Sequence, residues 1–276
     1  MELWFTEKHT AHLALTYQVK ETLFQTRTAY QDLAILDTYP FGRMLVLDGV
    51  VQTTVQDEFI YHEMIVHPAM TTHPAPRRVL VIGGGDGGTV REVVKYPQVE
   101  QVTLVELDKE VISASRTYLP EISSALDHSK LEIIIADGIE FMRGKESVYD
   151  IILIDSPDPI GPATNLFSED FYANVHKALS PRGIVVAQTE SPFIHGDLIR
   201  RIQGTFRSLY KGTHLYLAHI PTYQHGMWSF SMGTKHYDPL RADCGPAPAG
   251  TRYYTRKLHR GAFCLPHFVS QLLVEE

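Results

Sequence analysis

The chain has 276 residues, 44% hydrophobic and 21% charged, a composition close to the average for soluble globular proteins. That excludes a disordered chain and one integrated in a membrane, and the length suits one large domain or a large domain with a smaller companion. A formal net charge of −7 disfavours nonspecific binding to nucleic acid and mildly favours cationic ligands.

The first residues, MELWFTEKHTAHLALTYQVK, lack the basic segment and apolar run of a secretory signal, and no uncharged apolar stretch is long enough to span a bilayer. A cytoplasmic protein is expected. Up to residue 55 the chain offers short β-prone runs, LALTYQV, ETLFQTR, DLAILDT, RMLVLDG and VVQTT. Turn signals at Tyr39-Pro40-Phe41-Gly42 and Asp48-Gly49 separate several of them, so residues 1–55 read as a small antiparallel β domain. Thr54 and Asp57 then stand at capping-box spacing before EFIYHEMIVHPAM, whose apolar residues lie on most sides of a helix. Such a helix belongs at a buried junction, and residues 56–76 read as this helix and a polar, proline-bearing boundary.

Beyond it, over residues 77–276, apolar strands alternate with helical segments in the βαβ rhythm of a Rossmann-like α/β domain. The expected parallel strands are RVLVI, QVTLVEL, LEIIIAD, YDIILID and GIVVAQT, with helices starting near Gly87, Lys109, Gly138 and Glu169. A helix near GDLIRRIQGTF precedes two more strands, THLYLAH and MWSFSMG, which would close a seven-stranded sheet with an antiparallel hairpin. The last forty residues are weakly helical. The two cysteines, Cys244 and Cys264, fit neither a disulfide framework nor a zinc site.

Ligands of an open parallel sheet bind beyond the carboxyl ends of its strands. Carboxylates stand at four such ends: Asp86 after the first, Glu106 at the second, Asp137 at the third, and Asp155 at the fourth with Asp158 close behind. Asp86 and Asp137 read either as helix caps or as ligand contacts, and Glu140 completes a capping-box spacing with Asp137. Asp155 and Asp158, in DSPDP, read equally as turn formers. Glu106, about twenty residues beyond the glycine loop, sits where an acid commonly binds a ribose diol. Carboxylates gathered in one crevice repel one another, so the set calls for a cationic ligand. The loop GGGDGG fits the dinucleotide pattern G-x-G-x-x-G, yet a pyrophosphate there would meet the like charge of Asp86, whereas a sulfonium or ammonium would meet a counterion.

With these residues in view, LDGVVQTT…DEFIYHEMIVH, VLVIGGGDGGTVREV, VELD, ADGIEFM, DSPDPIGPATNLF and IPTYQHGMWSF resemble, in order and spacing, the spermidine synthases of the polyamine aminopropyltransferase family. The resemblance runs over nearly the whole chain. It implies a small β domain joined to a methyltransferase-type Rossmann-like domain, and transfer of an aminopropyl group from decarboxylated S-adenosylmethionine, as co-substrate, to putrescine. By resemblance Glu106 binds the ribose hydroxyls, Asp137 and Gly138 the adenine side, Gln31 and Pro162 complete the nucleoside pocket, and Asp86 holds the donor's amine. Tyr61, His62, Asp158, Gln188, Tyr223 and Trp228 line the acceptor tunnel, and Asp155 takes the attacking amine's proton. Without the resemblance, Tyr223 and Trp228 read as core aromatics between two strands.

Two rivals keep the same crevice: a small-molecule methyltransferase using S-adenosylmethionine, and a noncatalytic polyamine-binding protein. A nicotinamide oxidoreductase would have to set pyrophosphate beside Asp86. His62 and His67, five apart, do not share a helix face as a zinc pair does, so no metal is expected. Strand edges of the β domain suggest a homodimer or homotetramer.

Overall fold

The computed structural model describes residues 2–157, 165–242 and 245–274. The chain first forms a five-stranded antiparallel sheet from β1 (Leu3–Lys8), β2 (Ala14–Arg27), β3 (Asp32–Thr38), β4 (Gly42–Leu47) and β5 (Val50–Thr54), in spatial order β1-β2-β3-β4-β5. Asp48 and Gly49, both at positive φ, make the two-residue turn from β4 to β5 that the right-handed strand twist favours. The runs LALTYQV and ETLFQTR are one strand, not two. Register shifts against β3 between Val19 and Glu21 and between Thr22 and Phe24 break the side-chain alternation, which is why the sequence reads as an interruption. β1 lies at the sheet edge with Leu3 and Trp4 exposed, so its pattern carries no buried face that would announce a strand.

Helix α1 (Glu58–Thr72) follows, and all its residues except Phe59 are buried. Asp57 occupies the N-cap position but does not cap the helix with its side chain. Its carboxylate instead accepts from Thr54 Oγ1 at 2.7 Å and from the N–H and hydroxyl of Thr222 at 2.9 and 2.7 Å, tying the helix start to a distant loop. Of the expected capping box, the bond from the Asp57 N–H to Thr54 Oγ1 is present at a long 3.4 Å, while the Asp57 carboxylate is turned to the long-range partner. Pro68 lies inside α1 and has no N–H for the carbonyl of Met64, one turn earlier. The hydroxyl of Tyr216 donates to that carbonyl at 2.7 Å.

The second sheet holds β6 (Arg78–Gly83), β7 (Gln101–Glu106), β8 (Leu131–Ile135), β9 (Tyr149–Asp155), β10 (Leu179–Gln188), β11 (Gly212–His219) and β12 (Met227–Thr234). Their spatial order is β11-β12-β10-β9-β6-β7-β8, with β6 to β10 parallel and β12 antiparallel to both its neighbours. The closing hairpin therefore stands as expected. The central strands are unbroken apolar runs because both faces are covered. Val79, Val81, Ile151 and Leu153 pack toward α1, whereas Leu80, Ile82, Ile152 and Ile154 pack toward α6 (Glu169–Ala178) and α7 (Gly196–Leu209).

Between strands lie α2 (Gly88–Val93), α3 (Lys109–Tyr118), α4 (Pro120–Ser123) and α5 (Gly138–Met142), and the chain finishes with α8 (Arg256–Ala262) and α9 (His267–Gln271). Glu63 of α1 fastens this last segment by accepting from the N–H groups of Arg252, Tyr253 and Tyr254 at 2.7 to 2.8 Å. Strand order reverses between β6 and β9, so the crevice beyond their carboxyl ends is the place for a ligand. Among the described residues no helix is long and apolar enough to cross a membrane.

Tyr216→Phe should lower the unfolding free energy by about 1–3 kcal/mol, because it strands a buried carbonyl. Adding Pro68→Ala restores an N–H within the helix, so the double variant should recover part of that loss. Urea midpoints of the three proteins test this, and equal midpoints for Tyr216→Phe and the parent would contradict it.

Candidate active site

The loop from Gly83 to Gly88 joins β6 to α2 and carries Asp86 over the reversal point. Its glycines permit contacts no side chain would allow. A Cβ on Gly84, which has φ +71°, would lie 2.4 Å from Asp155 Oδ2, and one on Gly88 would lie 2.3 Å from the His62 ring. The loop is thereby pressed against both the end of β9 and the side of α1.

A cavity of about 250 Å³ opens beside this loop. Its acidic lining comes from Asp86, Glu106, Asp137 and Asp155, and its apolar walls from Leu45, Leu47 and Val50 of the first sheet and Ile82, Val105 and Ile139 of the second unit. Gln31, Gly138, Tyr61, His62 and Tyr223 also line it. The structure therefore brings most of the expected residues to one chamber. Gln188 and Trp228 line a smaller adjoining cavity of about 30 Å³, which shares Tyr61, Ser156 and Tyr223 with the first and adds Glu7, His9 and Gln224. Asp158 and Pro162 fall outside the described residues, as does Cys244.

Asp155 is 9% exposed. The hydroxyls of Tyr61 and Thr89 each donate to one of its oxygens at 2.6 Å. Burial and the nearby charge of Asp86 outweigh these bonds and raise its pKa above the usual carboxylate range. Thr89 was not singled out from the sequence; its only signal is a hydroxyl near the start of the helix that follows a glycine loop.

Asp86 lines the cavity and accepts from the N–H of Gly88 at 2.7 Å, but Gly87, in the left-handed conformation, takes the N-cap position expected of Asp86. Asp86 also has a cation of its own. His62 Nε2 lies 3.3 Å from Asp86 Oδ1, and His62 Nδ1 lies 2.6 Å from Glu58 Oε2. Burial opposes charging this ring, but Asp86 and Glu58 prevail and push its pKa up to about 10. Burial likewise disfavours the Asp86 anion, yet the imidazolium holds its pKa below the usual value. The crevice is thus less bare of positive charge than its row of acids suggests, and both nitrogens of His62 are engaged.

Glu106 accepts from Gly85 N at 3.1 Å and Asp108 N at 2.9 Å, linking the glycine loop to the end of β7. Burial pushes its pKa up to about 7 despite those bonds. Gln31 donates to Asp108 Oδ2 at 3.0 Å, which fixes the first sheet against the second at the rim. Asp137 caps α5 by accepting from Ile139 N at 2.7 Å while lining the cavity. Glu140 does not return the bond; it pairs with Arg143 on the exposed helix face at 2.8 Å, so that capping box is only half formed.

Tyr223 donates its hydroxyl to the carbonyl of Gln52 at 2.6 Å, and its ring meets Trp228 at 4.5 Å and Tyr61 at 5.8 Å between centroids. Gln188 donates to the carbonyl of Ser156 at 3.1 Å. Trp228 Nε1, Ser156 Oγ and Gln224 Oε1 are buried without a hydrogen-bond partner among the described residues, and all three residues line the small cavity. These are polar atoms set for a ligand or water. Among the described residues no group of three His, Cys, Asp or Glu side chains is arranged to hold a metal. His67 is spent on Glu92, 3.1 Å away.

Comparison with known proteins agrees in both halves of the chain. Residues 58–242 match the family model of the spermine/spermidine synthase domain, and residues 3–55 that of the spermidine synthase tetramerisation domain. A polyamine aminopropyltransferase of Moorella thermoacetica is 53% identical over 272 residues, covering 98% of this chain and 96% of its own. One from Thermoanaerobacter pseudethanolicus is 52% identical over 276 residues and all of both chains. Among solved structures, a spermidine synthase in complex with the transition-state analogue AdoDATO aligns with TM-score 0.95 at 37% identity, over 98% of this chain and 94% of that one. Spermidine synthase from Thermotoga maritima aligns with TM-score 0.92 at 36% identity, over the same shares, 98% and 94%.

The raised pKa of Glu106 is directly measurable. In glutamate-labelled protein its carboxyl ¹³C shift should titrate with a midpoint near 7, set against about 4.3 for exposed glutamates, and the signal should vanish in Glu106→Gln. A midpoint in the ordinary range would show that the site is more open to solvent than its burial implies.

Proposed function

The chain belongs to the spermine/spermidine synthase family, and from that premise we propose how its two cavities divide the work of aminopropyl transfer. The chain is an aminopropyltransferase that moves the aminopropyl group of decarboxylated S-adenosylmethionine onto putrescine, giving spermidine and methylthioadenosine. The donor is a co-substrate consumed in each turnover. The observation that carries the assignment of roles is the meeting of a large, acid-lined cavity with a small aromatic one at Tyr61, Ser156 and Tyr223, where the Tyr61 hydroxyl reaches Asp155 of the large cavity.

In this reading the large cavity takes the donor. Glu106 accepts from the ribose hydroxyls, and Gln31, Asp137 and Gly138 border the adenine, with Pro162 in the same role on the family pattern. Support for this comes from the apolar walls around Ile82, Val105 and Ile139, which suit a flat base. Asp86 receives the donor's ammonium. The diamine occupies the small cavity, between Tyr61, Tyr223 and Trp228 and beside Gln188, with Asp158 in the role the family pattern gives it. Glu7, which lines the small cavity, is the acid assigned to its far ammonium.

The sulfonium already activates the carbon to be transferred, so the protein's task is alignment of a neutral amine with it. The amine nitrogen forms the new bond to that carbon, the carbon–sulfur bond breaks, and its electron pair neutralises the sulfonium as methylthioadenosine leaves. The nitrogen's surplus proton passes to Asp155. A carboxyl whose pKa burial has raised is a better proton acceptor at neutral pH than an ordinary aspartate. Rejection of ordinary S-adenosylmethionine follows from its α-carboxylate, which would face Asp86 and Asp155.

We assign residues 1–55 as the assembly domain of a homodimer or homotetramer, 56–76 as the link, and 77–276 as the catalytic domain, with the cytoplasm as the compartment. The match of residues 3–55 to a tetramerisation domain supports a homo-oligomer.

Asp155→Asn should lower the turnover number by about 10²- to 10⁴-fold with donor affinity changed only a few-fold. Methylthioadenosine release with saturating putrescine and a calorimetric donor titration give the two numbers. Parent-like turnover would remove Asp155 from the role. Adenosylhomocysteine formed from ordinary S-adenosylmethionine, with no methylthioadenosine from the decarboxylated donor, would overturn aminopropyl transfer in favour of methyl transfer.

A further inference from the structure

Two buried carboxylates face the same reaction cavity, and their surroundings differ. Asp155 is held by neutral donors, the hydroxyls of Tyr61 and Thr89. Asp86 is held by a charged chain that begins outside the cavity. Arg91, on α2, donates through both terminal nitrogens to Glu58 on α1, at 3.0 Å to Oε1 and 2.8 Å to Oε2. Glu58 Oε2 takes His62 Nδ1 at 2.6 Å, one helical turn along, and His62 Nε2 points on to Asp86 at 3.3 Å. Arg91 is itself fixed by Glu92 at 3.0 Å and by the carbonyl of Glu121 at 3.1 Å. The chain alternates in sign from end to end, and only His62 and Asp86 reach the cavity wall.

We propose that Glu58 and Arg91 are positioning residues for the transfer: through His62 they fix Asp86 as the carboxylate that stays ionised, leaving Asp155 as the one that takes the proton. The proposal rests on the reading of Asp155 as proton acceptor.

The physical basis is the competition between like charges at one site. Two carboxylates sharing a buried crevice cannot both ionise freely, and the one with a cation beside it wins. A bidentate arginine is the strongest fixed anchor available to Glu58. Glu58 in turn sets which way the imidazole faces and, together with Asp86, keeps it protonated, as a carboxylate behind a histidine commonly does. Every charged or titratable neighbour of His62 fits this account. Glu58 and the ring of Tyr61 face it from its own helix, Asp86 from the glycine loop and Asp155 from β9; on α2, Arg91 reaches Glu58 rather than the ring and Glu92 pairs with His67, and Tyr223 stands beyond Tyr61. Burial opposes the Glu58 anion, but His62 and Arg91 hold its pKa below the usual value.

Glu58→Gln keeps the shape of the chain and removes its charge. At pH 8 the ring ¹⁵N shifts of labelled His62 should change from imidazolium to neutral imidazole. Without that cation a proton enters the Asp86–Asp155 pair at higher pH, so the acid limb of turnover at saturating substrates should move up by about one pH unit, a tenfold loss on that limb. In an Asp86→Asn background, where no second carboxylate competes, Glu58→Gln should move the limb by less, because His62 then acts on Asp155 alone. If Glu58→Gln folds poorly, Arg91→Met should shift the limb in the same direction by a smaller amount.

A merely structural role would lower activity evenly at all pH values and leave the His62 signal that of an imidazolium; either result overturns the proposal. The two readings also fail separately. Should Asp155→Asn abolish the acid limb while Glu58→Gln leaves it in place, only the positioning chain is wrong; should Asp155→Asn retain turnover and limb, both are.

Discussion

Mutual repulsion between Asp86 and Asp155 is the constraint around which this structure is arranged. Each lies at the carboxyl end of the parallel sheet, where strand order reverses and a crevice opens, and each is 9% exposed. Burial there penalises both charges, and proximity penalises them together. The surrounding structure separates their fates. A glycine loop lets the backbone close on Asp155, two hydroxyls steady that side chain, and an imidazolium sits against its neighbour. The pKa of one carboxylate is thereby held below the usual value and that of the other above it, from the same residue type.

Helix α1 makes that separation possible because it is not a surface helix. It lacks a solvent face, and each turn is committed to a different part of the molecule. Asp57, just before it, holds the Thr222 loop that carries Tyr223; Tyr61 reaches Asp155; His62 reaches Asp86; Glu63 fastens the C-terminal segment; and the carbonyl of Met64 takes the Tyr216 hydroxyl. A proline in such a helix is tolerable because the bond it removes is replaced from β11. The same helix therefore couples the position of the aromatic cavity to that of the acidic one.

How much of this was legible in the sequence depends on the range of each interaction. The central strands β6 and β9 announce themselves as continuous apolar runs because both their faces are covered, and the acids at their ends follow from sheet geometry alone. β2 reads as two strands because bulges interrupt a local pattern, and β1 is silent because Leu3 and Trp4 are exposed while its one buried residue is the charged Glu7. Capping was half right. Asp137 closes on Ile139 as the spacing says, whereas Asp57 spends its carboxylate on Thr222, 165 residues away, which no local rule reveals. In the site, the resemblance named most of the residues that converge, but Thr89, Glu7 and the Arg91–Glu58 pair are visible only once α1, α2 and β1 are packed. Glu58 and His62 stand at helix-neighbour spacing, a pattern that is equally the mark of an ordinary surface ion pair.

The row of acids along the strand ends suggests, read from the sequence, a crevice of bare negative charge that would select a cation by field alone. Packing changes that argument. Arg91 and His62 neutralise Glu58 and Asp86 formally, so the long-range field of this group is weak, and discrimination must act at contact distance. There Asp86 still presents acceptor oxygens to the cavity, and His62 has no nitrogen left with which to receive a carboxylate. An ammonium at Asp86 would meet a partner that is fixed in place and costs little to reorganise, whereas a carboxylate at Asp86 would meet only acceptor oxygens. Pairing the acid with a buried imidazolium thus exchanges strength of attraction for geometry, the property on which the proposed discrimination against a donor carrying a carboxylate beside its amine rests.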